Sequence, residues 1–284
     1  MSTLYITEQR STLRKTDERL VVTLEKDVLI DVPIIKIDQI VIVGNVTVTA
    51  PTVAELMERK INICFLSQYG NYLGRYEAPD SRNGLLRIAQ HKIYQDPKAR
   101  VEVAKRIING KINNQITFLA RQHRASPHKK LSEAIQSIKK TKKGLNRVET
   151  LDEIRGYEGN AAAIYFQVFP EILKNDFGFA KRIRRPPTDP VNALLGLGYT
   201  LLTHNIQSAL AIVGLDPYIG FLHGDRYGRA SLALDLVEEF RTIIVDSVVI
   251  SMINNNMITE KDFDIDLGVC SLKDSVKKRV LPKI

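Results

Sequence analysis

The sequence predicts an α+β protein in which a β-rich, sandwich-like N-terminal domain (residues 1–80) precedes an all-α C-terminal domain (residues 81–284). Three observations predict it. Up to Tyr76 the apolar residues fall in short β-branched runs between turn residues. From Leu85 onward their spacing becomes helical. The charge shifts at the same place: residues 1–80 hold 9 Lys/Arg against 11 Asp/Glu, and the rest hold 32 against 21.

Residues 1–50 read as strands. Leu20-Val-Val-Thr-Leu and Val28-Leu-Ile-Asp-Val alternate or run apolar, with Glu25-Lys-Asp turning between them. Residues 34–43 read as one β-branched strand, and Gly44-Asn45 marks a turn before Val46-Thr-Val-Thr. Thr52 and Glu55 stand at capping-box spacing, which predicts a helix to about Lys60. Ile61-Asn-Ile-Cys-Phe-Leu is a further strand, and Tyr69-Gly-Asn turns into a last one. Pro79-Asp-Ser-Arg-Asn-Gly marks the junction.

In the second half, Val103, Ile107 and Ile108 share a helical face, and Ile112, Ile116 and Leu119 recur after Gly110 interrupts the run. Lys111, Asn114 and Gln115 on that helix suit hydrogen bonding between helices, with phosphate contact as the other reading. Residues 126–148 read as a helix with a mobile basic turn at 139–144. A helix should start near Leu151-Asp-Glu. Pro186, Pro187 and Pro190 force an extended connection, and Asp189 should cap an apolar helix over 191–212. Glycines at 214, 220, 224 and 228 break the chain before a long amphipathic helix over 231–252. Residues 254–284 look least firmly structured.

Composition narrows the function. With 41 Lys/Arg against 32 Asp/Glu the chain carries +9, and it is 44% hydrophobic, which excludes a disordered chain, collagen or a coiled-coil rod. No apolar run is long enough for a membrane span, so no membrane partner is expected. No signal peptide is read at the start. The two cysteines, Cys64 and Cys270, form no C-x-x-C pair, so a reducing compartment and core packing are expected of them. The basic residues cluster: Lys139, Lys140, Lys142 and Lys143 in one segment, Lys181, Arg182, Arg184 and Arg185 in another. Such clusters attract polyanions, most commonly nucleic acid; a solvated face is the equal alternative.

Three places could carry chemistry. His223 lies between glycines in Gly220-Phe-Leu-His-Gly, directly before a helix, where a backbone can approach a ligand closely; a structural histidine is the alternative. On the following helix Leu236, Val237, Phe240, Ile243 and Ile244 form one arc and Asp235, Glu238, Glu239 and Thr242 the other. That acidic arc either ligates a cation or is merely solvated. Glu158 lies among small residues in Arg155-Gly-Tyr-Glu-Gly, and a buried acid there needs a cation, whereas an exposed one needs nothing.

These segments also resemble a known family. Arg155-Gly-Tyr-Glu-Gly, Arg185-Pro-Pro-Thr-Asp-Pro-Val-Asn-Ala-Leu-Leu, Gly198-Tyr-Thr-Leu-Leu, and Gly220-Phe-Leu-His with Ser231-Leu-Ala-Leu-Asp-Leu-Val-Glu-Glu-Phe-Arg look like the CRISPR-associated adaptation integrase, the "Cas-one" endonuclease. Gly44-Asn-Val and Gly110-Lys-Ile-Asn-Asn-Gln fit as well, and the order is kept from about residue 40 to 270. The resemblance implies a catalytic helical domain, and a homodimer joined to a small ferredoxin-like partner subunit in the prokaryotic cytoplasm. The joining surface is expected on the near-neutral β-rich half. It implies metal ligands and catalytic residues at Glu158, His223 and Glu238, with Asp235 and Glu239 as neighbouring acids that support or replace them. Two carboxylates and an imidazole suit Mg²⁺ or Mn²⁺. The implied activity is insertion of new spacers into a CRISPR array by 3′-hydroxyl attack on repeat phosphodiesters, with double-stranded DNA as the partner. The competing readings are a non-catalytic DNA-binding scaffold and a metal-dependent phosphoesterase acting on RNA or small substrates.

Overall fold

The computed structural model describes residues 2–68, 72–76, 83–224 and 226–281. The expected turn at 69–71, most of the expected junction at 79–84, and Asp225 lie outside the described residues. The chain divides into two compact units: Met1–Ser81 with Leu272–Lys283, and Arg82–Ser271 with Ile284. Residues 272–283 therefore belong with the N-terminal unit, not with the helical stretch in which the sequence pattern places them.

The first unit holds two four-stranded sheets. Strands β1 (Thr3–Ile6) and β2 (Thr12–Thr16) open the chain; β3 (Arg19–Leu24) and β4 (Asp27–Pro33) follow as a hairpin. Next come β5 (Gln39–Val43), β6 (Thr47–Val48), helix α1 (Ala50–Glu58), β7 (Asn62–Leu66) and β8 (Tyr72–Tyr76). One sheet runs β1-β5-β7-β8, parallel except for β8, and the other runs β4-β3-β2-β6. Ile6, Ile40, Ile42 and Ile63 from the first sheet share one core with Leu13, Leu20 and Val22 from the second and Leu56 of α1. The unbroken apolar run of β5 reflects its central position, where both faces are covered.

Two details differ from expectation. Residues 34–43 are not one strand. Pro33 lacks the N–H to extend the β4 ladder, and Ile34–Lys36 forms a 3₁₀ turn that sinks Ile34 into the core and leaves Ile35 88% exposed. Nor do Thr52 and Glu55 make a capping box. The helix starts earlier, with Pro51 in its first turn. Thr52 accepts the Lys15 N–H at 2.7 Å, and Glu55 pairs with Lys15 and Arg59. Both side chains tie α1 to β2.

The second unit is mainly helical: α2 (Gly84–Gln95), α3 (Pro97–Ala125), α4 (Lys129–Leu145), α5 (Leu151–Gln167), α6 (Pro190–Val213), α7 (Ser231–Arg241) and α8 (Ser247–Asn254). The starts expected near Leu151 and at Asp189 are capped. Thr150 and Glu153 form a reciprocal capping box on α5, and Asp189 accepts the Asn192 N–H on α6 at 2.8 Å. Gly110 does not interrupt α3, which runs through it, and 139–144 is helix rather than a mobile turn. A single π-turn (Thr242–Asp246) joins α7 to α8. The tail is ordered as a hairpin, β9 (Phe263–Asp266) with β10 (Val269–Leu272), and helix α9 (Asp274–Val280). No helix among the described residues is long and apolar enough to cross a membrane. Cys64 and Cys270 are buried and unpaired, and burial pushes their thiols up to about 12 and about 11, so both stay protonated.

Candidate active site

Helices α5 and α7 both pack against α3, and the loop before α7 lies over the first turns of that helix. Close approach is built into the loop. A Cβ on Gly220 would stand 2.6 Å from the Ser231 carbonyl carbon and 2.8 Å from Asp235 Oδ2. The loop is then pinned by Asp235, which is wholly buried. Its Oδ2 accepts the N–H groups of Phe221 (2.5 Å) and Leu222 (2.9 Å), and its Oδ1 accepts that of His223 (2.9 Å). The fourth bond joins the same Oδ1 to Nδ1 of the His223 ring at 2.6 Å. With Nδ1 donating to the carboxylate, Nε2 keeps its lone pair for a ligand or a proton. Asp235 is thus fully engaged in holding the imidazole.

Two arginines secure the loop from the other helices. Arg155 Nη2 of α5 donates to the Leu222 carbonyl at 2.6 Å, and Arg100 Nε of α3 donates to that of Phe221 at 3.0 Å. Arg155 lies one turn before Glu158, so the same helix that carries the acid also fixes the histidine loop.

Glu158 and Glu238 meet on one cation, the ammonium of Lys111 on α3. Lys111 is 1% exposed and its Nζ donates to Glu158 Oε1 and Glu238 Oε2. Arg241, one turn along α7, adds a second positive charge to Glu238 at 3.0 Å. Burial alone would raise the Glu238 carboxyl; the charges of Lys111, Arg241 and His223 overturn that and hold it at about 2. Behind Arg241 lies a buried polar knot. Its guanidinium stacks on the Tyr199 ring (4.5 Å), and the Tyr199 and Tyr165 hydroxyls donate to the two oxygens of Asp246 at 2.6 and 2.9 Å. The π-turn brings Asp246 inward to receive them.

The structure therefore joins Glu158 and Glu238 through Lys111 and fixes the His223 ring on Asp235, one turn before Glu238 on α7. The side chains as placed do not close into a ligand cluster: among the described residues, no group of three His, Cys, Asp or Glu could hold a metal. The chemistry of the set still fits a hard divalent cation, because two carboxylates already share one positive charge at the buried Lys111 ammonium. Glu239 stands apart. Its side chain lies over Gly110 of α3, where a Cβ would come within 2.6 Å of its carboxyl, and its carbonyl accepts from Asn114 at 2.8 Å.

Lys111 and Arg155 are the site residues that sequence reasoning missed. In the sequence Lys111 is one member of a polar helical face, and its burial is the signal that spacing cannot supply. The predicted basic residues divide as well. Lys139, Lys140 and Lys143 are exposed on α4 with Lys142 half-buried, and Lys181, Arg184 and Arg185 are exposed. Arg182 is turned inward: it donates to Asn192 Oδ1 at 2.7 Å and lies 5.3 Å over the Tyr199 ring, and burial lowers its pKa.

Comparison with known proteins places these features in context. The chain matches the sequence profile of "CRISPR associated protein Cas1" over residues 4–284. A curated relative from Thermus thermophilus, a CRISPR-associated endonuclease Cas1, is 40% identical over 272 residues, covering 95% of this chain and 80% of its own. Among solved structures, a CAS1 protein from Thermotoga maritima superposes with a TM-score of 0.86 at 26% identity, covering all of this chain and 89% of its own. A casposase bound to integration product gives 0.82 at 25% identity, over 100% and 81%. A chain of a Cas6-RT-Cas1–Cas2 complex gives 0.77 at 27% identity, over 99% of this chain and 31% of that one.

Proposed function

Because the chain belongs to the CRISPR-associated Cas1 family, we propose that it is a metal-dependent DNA integrase and endonuclease that inserts new spacers into a CRISPR array. The observation that carries this reading is the convergence of Glu158 and Glu238, 80 positions apart in the sequence, on one buried cation position, with the His223 ring fixed by Asp235 one turn before Glu238.

Glu158, His223 and Glu238 would hold Mg²⁺ or Mn²⁺. Such an ion, when bound, polarises a phosphodiester and makes the attacking hydroxyl more acidic. The residues supply the rest. The four bonds to Asp235 hold the His223 ring in one orientation and one tautomer. Arg241 balances the Glu238 charge. In strand transfer the 3′-oxygen of the incoming DNA forms a new bond to a repeat phosphorus. The bond from that phosphorus to the 3′-oxygen of the repeat strand breaks, and the leaving oxygen takes up a proton. With water as nucleophile, the same attack is cleavage.

Lys139, Lys140, Lys142 and Lys143 on α4, with Lys181, Arg184 and Arg185, would grip double-stranded DNA by its phosphates; Arg182 would support Tyr199 rather than touch DNA. Homodimer formation through the β-rich unit agrees with the exposure of Val28, Leu29 and Ile35 on β4 and the turn after it. A small partner subunit, as in the Cas2-containing assembly whose chain this one resembles, would complete the integration complex.

The deciding experiment incubates the purified protein with duplexes bearing free 3′ ends in Mg²⁺ or Mn²⁺ and looks for covalently joined strands. Joining that is lost in Glu158→Ala, His223→Ala and Glu238→Ala supports the proposal. Cleavage without joining favours a phosphoesterase, and joining that survives all three changes refutes the catalytic assignment.

A further inference from the structure

We propose that Lys111 is a built-in competitor for the metal position: its ammonium holds Glu158 and Glu238 together in the metal-free protein and must leave when a divalent cation enters. The inference rests on the metal reading above and extends it to the residue that controls metal entry.

Three observations carry it. Lys111 is 1% exposed, so its charge was taken out of water at a large cost, and its Nζ donates to both carboxylates assigned as ligands. Those carboxylates come from different helices, α5 and α7, and two like charges brought together in a site of low polarity repel strongly unless a cation lies between them. Glu158 and Glu238 are paired directly with two cations, Lys111 and Arg241. A divalent ion added to this set leaves an excess of two positive charges. That excess is what a phosphate of bound DNA would offset. Lys111 thus weakens metal binding in the free protein and ties firm metal retention to the arrival of the polyanion. Once displaced, the ammonium stays tethered on α3 beside the site.

The test is a Mn²⁺ titration of the full-length protein without DNA, read by the loss of the free-ion electron paramagnetic resonance signal. Wild type, Lys111→Met and Lys111→Gln are compared. Removing the ammonium should tighten Mn²⁺ binding about ten-fold or more, since a full like charge no longer competes at close range. The gain should vanish when Glu158→Gln is added. Adding duplex DNA should tighten binding by wild type more than by Lys111→Met. If wild type binds Mn²⁺ and Lys111→Met binds it equally or more weakly, the competitor role is overturned while the metal reading stands. If neither binds Mn²⁺, with or without DNA, the metal reading itself fails. A variant that unfolds without metal and folds when Mn²⁺ is added also supports the proposal. Variants at Lys111 that stay unfolded at saturating Mn²⁺ overturn it.

Discussion

His223 Nδ1 stands 2.6 Å from Oδ1 of Asp235, and the same carboxylate receives three consecutive backbone N–H groups from the histidine's own loop. One side chain thereby sets both the path of the loop and the tilt of the ring. Asp235→Asn keeps the shape but presents an amide N–H₂ where only donors approach, so two of the four bonds disappear. Activity should fall about 10- to 100-fold, as when other residues that orient a ligating histidine are changed. Amides 221–223 should exchange faster with solvent, read by hydrogen-exchange mass spectrometry. Protection equal to wild type would contradict this account of the loop.

Gly220→Ala tests the packing under that loop. The added methyl would meet the Ser231 backbone carbon at 2.6 Å, and backbone yields less readily than the end of a flexible side chain. The variant should lose about 1–3 kcal/mol of stability, the usual range for overpacking, with a matching fall in denaturant midpoint.

Asp246 gives a pH-dependent prediction. Burial raises its carboxyl, and the Tyr199 and Tyr165 hydroxyls and Arg241 offset this only in part. An acid whose folded pKa lies above its unfolded one is penalised at high pH and relieved as the folded protein takes up the proton. The stability of wild type relative to Asp246→Asn should therefore shift in favour of wild type as pH falls from about 7 to about 4. Parallel denaturation curves for the two proteins across that range would refute it.

The outer face of α7 and the π-turn yields a contrasting prediction. Phe240, Ile243 and Ile244 are 37–47% exposed, whereas Asp235, Glu238 and Thr242 are buried. Ile243→Ser should change the stability of the monomer by no more than about 0.5 kcal/mol, the range for surface changes, measured by chemical denaturation. A drop several times larger would place Ile243 in the core.

For DNA, Lys139→Glu, Lys140→Glu and Lys143→Glu together should weaken duplex binding and flatten its dependence on salt, by about 0.9 in the log–log slope for each phosphate no longer neutralised. An unchanged slope would make the lysines of α4 a solvated surface.

The inverted α7 face shows where sequence reading stops. Periodicity correctly separates Leu236, Val237, Phe240, Ile243 and Ile244 from Asp235, Glu238, Glu239 and Thr242, but a wheel does not say which arc faces inward. Here most of the acidic arc does, because Lys111, Arg241 and the His223 loop supply partners for it; Leu236 packs on the cluster around Leu210 and Phe221, and Val237 is buried. The caps at Thr150 and Asp189 and the β3–β4 hairpin are legible because each depends on a few neighbouring residues. Lys111 is not, since its role depends on two residues 47 and 127 positions away. Residues 254–284 look loose because their apolar positions are sparse; Val276, Val280 and Leu281 are nonetheless buried, in a unit whose other members lie at the opposite end of the chain.

That return of the chain orders events during synthesis. Helix α9 is made after every helix of the second unit, yet it belongs with the first strands made. The β-rich unit therefore waits, one piece short, while the helices of the second unit are translated, and it is completed only when α9 has emerged.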